Sequence, residues 1–170
     1  MFIQFTLKHL PTISHDQWVP ELGLTTQDRN ILLHPTAWLS DCIIDAAQKL
    51  IKTLCPALFG LQTVVNCQTM GFDVQTHEFI QILNNGNHWL TVSTVGTAHP
   101  TVKIYDSMYS HAGPQVQAPL ASLLATEGSE IIANFMDVPL QSGSNDCGLF
   151  AIAYAVTIAL GLHPEEYQFK

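Results

Sequence analysis

This chain is short of positive charge, of charge in general, and of any residue spacing that would hold a metal. Six Lys and Arg stand against 14 Asp and Glu, a formal net charge of −8, and only 12% of the 170 residues are charged. Nucleic-acid binding needs a basic face to neutralise phosphates, so no nucleic-acid partner is expected. The acidic balance keeps a domain soluble, and it is compatible with a basic protein partner because opposite fields steer encounter. The four cysteines, at 42, 55, 67 and 147, include no CxxC pair. Their low density and irregular spacing indicate neither a zinc site nor a disulfide framework. The histidines lack ligand spacing, and His77-Glu78 is not part of an HExxH pattern. No metal and no cofactor are expected.

Long apolar runs are also missing. The stretch GLFAIAYAVTIALGL, residues 148–162, carries no charge over 15 residues. A membrane-spanning helix needs about 20 apolar residues, so this run reads as a helix buried in a protein core. The opening MFIQFTLKHLP lacks a basic stretch followed by a long apolar segment and a small-residue cleavage site, so no signal peptide is expected. Free thiols without an export signal point to a cytoplasmic or nuclear protein. No repeat, linker or low-complexity tract divides the sequence, and the length favours a single domain over residues 1–170, expected to be a monomer.

What is present is a core-forming chain, 47% hydrophobic, whose periodicity changes along its length. Thr25-Thr26-Gln27-Asp28 resembles a capping box opening a short helix, with Asp in place of Glu. From 38 to 54 the apolar positions 39, 43, 44, 47, 50, 51 and 54 have helical spacing, ended by Pro56. Residues 78–83, 88–95, 101–105 and 131–138 read as strands, with Asn84-Asn85-Gly86-Asn87 as a turn. Residues 116–125 read as a helix bracketed by Pro114 and Gly128. Helices first, then strands with one interposed helix, then a buried helix describe an α+β domain with a mostly antiparallel sheet packed on helices.

Cys147 lies in GSNDCGLF, directly before the apolar helix. A thiolate is the nucleophilic form of cysteine, and a helix N-terminus stabilises that anion through unpaired N–H groups and the helix dipole. Gly148 removes a side chain beside the sulfur, letting a substrate backbone approach closely, and Asn145 and Asp146 suit an N-terminal cap. A lone cysteine is also commonly a buried structural thiol. His88 opens a strand after the turn and can serve as general base for a thiol, or stand at the surface. Asp106 ends the next strand, where it can orient an imidazole or close an Asx turn. Gln141 lies six residues before Cys147, and its amide can donate to the oxyanion of a tetrahedral intermediate.

The order His, Asp, Gln, then Cys at a helix start is more specific than any one of these residues. Together with Trp38-Leu39-Ser40-Asp41, His88-Trp89, Tyr105-Asp106-Ser107 and Asp146-Cys147-Gly148, it resembles the ubiquitin-like-protein-specific cysteine proteases, which include the SUMO-deconjugating sentrin proteases. The resemblance covers residues 18–170. It implies a papain-like cysteine protease fold of the ubiquitin-like protease type. It implies hydrolysis after the C-terminal Gly-Gly of a ubiquitin-like modifier through a Cys147 thioester. Cys147 would be the nucleophile, His88 the base and then the acid, Asp106 its orienting carboxylate and Gln141 the oxyanion donor. Trp38 and Trp89 would form a narrow tunnel for the Gly-Gly tail, although both also suit core packing. Asp41 would pair with a basic residue of the modifier. Ser40 departs from the Asn usual in the family, and family domains usually continue with a helical segment beyond the position of residue 170. Two other readings fit the same residues: a catalytically silent modifier-binding module, and an acyltransferase using the same Cys and His.

Overall fold

A computed structural model describes residues 16–98, 100–111, 114–124 and 130–169 of the chain. The expectation for the first 11 residues lies outside this range, as does the C-terminal edge of the helix expected at 116–125. Two short strands, β1 (Gln17–Val19) and β2 (Leu24–Thr25), pair antiparallel and lead into helix α1 (Thr26–Leu33). The capping box is formed in both directions. Thr25 Oγ1 accepts the Asp28 N–H at 3.3 Å, and Asp28 Oδ2 accepts the Thr25 N–H at 3.0 Å. Helix α2 (Asp41–Leu54) starts three residues later than its apolar pattern, because Ser40 caps it in an extended conformation and leaves Trp38 and Leu39 outside the helix. Its buried face is Ile43, Ile44, Ala46, Gln48 and Ile51.

The sheet runs β3 (Phe59–Gly60), β4 (Phe79–Asn84), β5 (Trp89–Ser93), β6 (Thr101–Tyr105), β7 (Ile132–Phe135) in spatial order. The central pairings β4–β5 and β5–β6 are antiparallel, as the short turns between them require. The outer pairings β3–β4 and β6–β7 are parallel. Each of those connections contains a helix, α3 (Asn66–Thr69) in the first and α4 (Pro114–Leu124) in the second, so the chain crosses back to the same end of the sheet. The sheet is therefore antiparallel at its centre and mixed as a whole.

Alternation along the strands splits the core in two. Ile80, Ile82, Trp89 and Tyr105 pack with α2 and with α5 (Cys147–Ala159), while Phe79, Leu83, Leu90, Val92, Val102 and Ile104 pack with Val116, Leu120, Leu123 and Leu124 of α4. α5 is the apolar run read from the sequence, and its buried face includes Cys147, Gly148, Ala151, Tyr154, Ala155 and Ile158. It is not buried all round: Leu149 and Val156 are exposed, as is Leu160 just past its end. Among the described residues, no helix is long and apolar enough to cross a membrane. A buried polar contact sets its height on the sheet, since Thr91 Oγ1 of β5 donates to the Ala151 carbonyl at 2.7 Å. At the other side of the helix, Tyr154 Oη donates to the Pro139 carbonyl at 2.7 Å and anchors the loop that leads to Cys147.

Candidate active site

Antiparallel pairing of β5 and β6 brings the start of one strand beside the end of the other, with Thr91 opposite Tyr105. His88, one residue before β5, therefore meets Asp106, one residue after β6. His88 Nε2 and Asp106 Oδ1 are 2.8 Å apart, and both side chains are buried. The same carboxylate oxygen accepts the N–H groups of Met108 at 2.8 Å and Tyr109 at 3.0 Å. The Tyr109 ring meets the His88 ring edge-on, with centroids 5.3 Å apart.

With Nε2 committed to Asp106, the second ring nitrogen of His88, Nδ1, is buried and makes no hydrogen bond. The Cys147 thiol, 1% exposed at the first position of α5, is close enough for its charge and that of the His88 ring to act on each other. Burial pushes the Cys147 thiol up, but the His88 ring, backbone N–H groups of Trp89 and Gly148, and the imidazolium charge together hold it below its usual value. Burial opposes charge on His88 as well. Its bond to Asp106, its contact with Cys147 and the attraction of both negative groups outweigh this, and its pKa is pushed up to about 9. Each partner stabilises the charged form of the other, so the arrangement favours a thiolate–imidazolium pair.

Gln141 lies on the loop between β7 and α5. Its Oε1 accepts from Ser107 Oγ at 2.5 Å, its backbone N–H donates to the Ser107 carbonyl at 3.0 Å, and its Nε2 donates to the Gly143 carbonyl at 2.6 Å. The residue after the His88 partner thus holds Gln141.

The two tryptophans differ. Trp89 is 3% exposed in the core, with its indole N–H donated to the Leu39 carbonyl at 3.2 Å. Trp38 is 44% exposed, and its indole N–H is donated to Asn145 Oδ1. The Trp89 indole ties the Trp38-Leu39 segment to β5, and the Trp38 indole ties it to the cysteine loop. Asp41 is exposed at the first turn of α2 and forms no hydrogen bond to any of these residues. Among the described residues, no three His, Cys, Asp or Glu side chains are grouped to hold a metal ion.

Two local expectations are corrected. Asn145 and Asp146 do not cap α5 through their side chains: Asp146 occupies the cap position in a helical conformation without a capping bond. Asn145 instead bridges, accepting from Trp38 and donating to the Thr36 carbonyl. Gly148 does not leave open space for a substrate. A Cβ there would lie 3.0 Å from the Leu39 side chain, so the glycine lets the Trp38-Leu39 segment approach the start of α5. Sequence reasoning also missed Ser107 and Tyr109. Ser107 was visible only as a neighbour of Asp106, and Tyr109 as an isolated aromatic in a turn.

The Ulp1 protease family, C-terminal catalytic domain, matches residues 72–170, more than half of the chain. No curated protein sequence matches. Among solved structures, the chain is similar to the SUMO protease Ulp1 with its catalytic cysteine oxidised to a sulfonic acid (17% identity, 88% of this chain and 78% of that one, TM-score 0.64). It is similar to the C-terminal Ulp1 protease domain in complex with Smt3, the yeast ortholog of SUMO (18% identity, 85% and 75%, TM-score 0.59). It is also similar to the Xanthomonas campestris effector XopD bound to ubiquitin (16% identity, 75% and 76%, TM-score 0.53). The fold is the α+β, papain-like fold of these proteases, and the chain belongs to the Ulp1 protease family of cysteine peptidases.

Proposed function

We propose that this peptidase hydrolyses the bond that follows the C-terminal Gly-Gly of a ubiquitin-like modifier, with Cys147 as nucleophile. The observation that carries this reading is the buried Asp106–His88 pair beside a thiol at a helix N-terminus. Trp38 and Trp89 are the proposed walls of the tail channel: glycines have no side chains to clash, so flat indoles can select a Gly-Gly tail by steric exclusion. The solved complexes of similar folds with Smt3 and with ubiquitin support a ubiquitin-like partner.

In this reading the Cys147 thiolate attacks the carbonyl carbon of the terminal glycine. The charge passes to the carbonyl oxygen, which accepts from the free Gln141 N–H and from backbone N–H groups at the start of α5. Collapse of the intermediate expels the amine, which takes its proton from His88, and leaves a thioester on Cys147. His88, now neutral, accepts a proton from the water that attacks the thioester. The products are the modifier's carboxylate and the regenerated thiol. Asp106 fixes the ring throughout. Asp41, exposed at the start of α2, is the proposed contact for a basic residue of the modifier.

The test uses SUMO and ubiquitin carrying C-terminal electrophiles. Labelling of wild type at Cys147, lost in Cys147→Ala, is the expected result. Absence of labelling by both, with His88→Ala leaving thiol reactivity unchanged, would overturn the reading. Binding of either modifier without turnover would favour a silent binding module.

A further inference from the structure

Ser107 is buried and directly follows Asp106 at the end of β6. Its hydroxyl donates to Gln141 Oε1 at 2.5 Å, and its carbonyl accepts the Gln141 N–H at 3.0 Å. The Gln141 side chain carries two N–H donors and one carbonyl oxygen. One donor is taken by the Gly143 carbonyl at 2.6 Å. With the oxygen held by Ser107 and one N–H by Gly143, both the plane and the sense of the amide are set, and one N–H remains free.

The sense of this amide matters for an oxyanion. Its N–H attracts the charge that develops on the substrate oxygen, whereas its carbonyl, if turned around, would repel that charge. Preorganised donors are effective because they need no reorganisation during the reaction. We propose that Ser107 is a positioning residue for the oxyanion site, acting through Gln141 by holding the amide oxygen away from the reacting carbonyl. This rests on the reading of Gln141 as oxyanion donor. One strand end would then set two parts of the machinery, the Asp106–His88 pair and the Gln141 amide.

The experiment measures kcat and KM on SUMO and ubiquitin C-terminal 7-amino-4-methylcoumarin amides for wild type, Ser107→Ala, Ser107→Thr, Gln141→Ala and the Ser107→Ala/Gln141→Ala double variant. In parallel, iodoacetamide alkylation of Cys147 reports the thiolate, since that reaction forms no oxyanion. Removing one oxyanion donor costs roughly 10²–10³-fold in kcat, and Ser107→Ala is expected to lose a part of this, about tenfold. KM and the alkylation rate stay at wild-type values, Ser107→Thr restores kcat, and the double variant is no slower than Gln141→Ala alone. A parallel drop in alkylation for Ser107→Ala would place its effect on the His88–Asp106 pair or on folding, and would overturn the proposal. A double variant slower than Gln141→Ala would do the same. Full turnover in Gln141→Ala would remove the oxyanion reading itself. A slow Gln141→Ala beside a fast Ser107→Ala would remove only the positioning role. Inertness of wild type toward both substrates would sink the proposed function and this inference with it.

Discussion

Asp106 Oδ1 accepts three hydrogen bonds at once, from His88 Nε2 at 2.8 Å and from the N–H groups of Met108 and Tyr109 at 2.8 and 3.0 Å. The turn closure and the orientation of the imidazole are therefore one structure: the two backbone donors aim the carboxylate, and the carboxylate aims the ring. A side chain held this way cannot swing from its histidine without breaking the turn.

Asp106→Asn separates charge from geometry. An Asn oxygen can still accept from both backbone donors, but it no longer stabilises an imidazolium. His88 owes its pKa of about 9 to Asp106 and Cys147, working against burial. In wild type, activity should rise with pH as the depressed Cys147 thiol ionises, and fall as His88 loses its proton near pH 9. The variant should show the falling limb at lower pH and a kcat reduced by roughly 10²-fold or more, the usual scale for disabling an acid–base partner. A pH profile of kcat/KM checks this. An unmoved alkaline limb would mean that Asp106 does not hold the charge on His88.

Ser40 supports a prediction about stability. Its hydroxyl donates to Asp28 Oδ1 at 2.8 Å, and its oxygen faces the Ile43 N–H at the start of α2. Burial would raise the Asp28 pKa, but bonds from Thr25 and Ser40 hold it below 3.8. A depressed carboxyl pKa contributes stability that is present above the unfolded value, about 3.9, and lost as pH falls through the folded value. Ser40→Ala should cost about 1 kcal/mol at neutral pH, the usual loss for an N-cap serine. The gap from wild type should narrow in acid as Asp28 protonates. Urea melts at pH 7 and in acid read both effects; a gap of constant size would detach Ser40 from the Asp28 charge.

Much of this was legible in the sequence, and the parts that were not share a cause. The capping box at Thr25, the strand at 101–105 and the apolar helix beginning at Cys147 follow local rules, in which neighbouring residues decide the outcome. The pairing of His88 with Asp106 was also accessible, because antiparallel neighbours must bring those strand ends together. Asn145 was misread as a cap, since its partners Trp38 and Thr36 lie over a hundred positions away. Gly148 was misread for the same reason. The sequence shows a missing side chain there, but only the fold shows that Leu39 occupies the space.

Asn145 should behave as a binding residue rather than a reactive one. It joins the Trp38 indole and the Thr36 carbonyl to the loop two residues before the nucleophile. Without it, the half-exposed Trp38 loses its fixed position over the proposed tail channel, while the His88–Asp106 pair is untouched. Asn145→Ala should raise KM for a modifier substrate several-fold, on the order of 1 kcal/mol for one lost hydrogen-bonded bridge. Iodoacetamide alkylation of Cys147 should keep its rate. Equal losses in both measurements would show that the bridge holds the nucleophile instead.

Gly148 supports the sharpest structural prediction. A Cβ at this position would sit 3.0 Å from Leu39 Cβ and 3.1 Å from its Cγ and Cδ1, inside a buried contact at the start of α5. Alanine is favoured over glycine within helices by about 1 kcal/mol, but forcing a methyl group into a packed core costs about 1–3 kcal/mol. The clash also pushes on the segment whose carbonyl holds the Trp89 indole. Overpacking should win, so Gly148→Ala should lower Tm by roughly 2–4 °C per kcal/mol lost in a chain of this size. Leu39→Ala destabilises on its own account by opening a cavity. Combined with Gly148→Ala, it should cost less than the two changes summed, because the added methyl then fills part of that cavity. Strict additivity in thermal melts would mean that the two side chains do not compete for the same space.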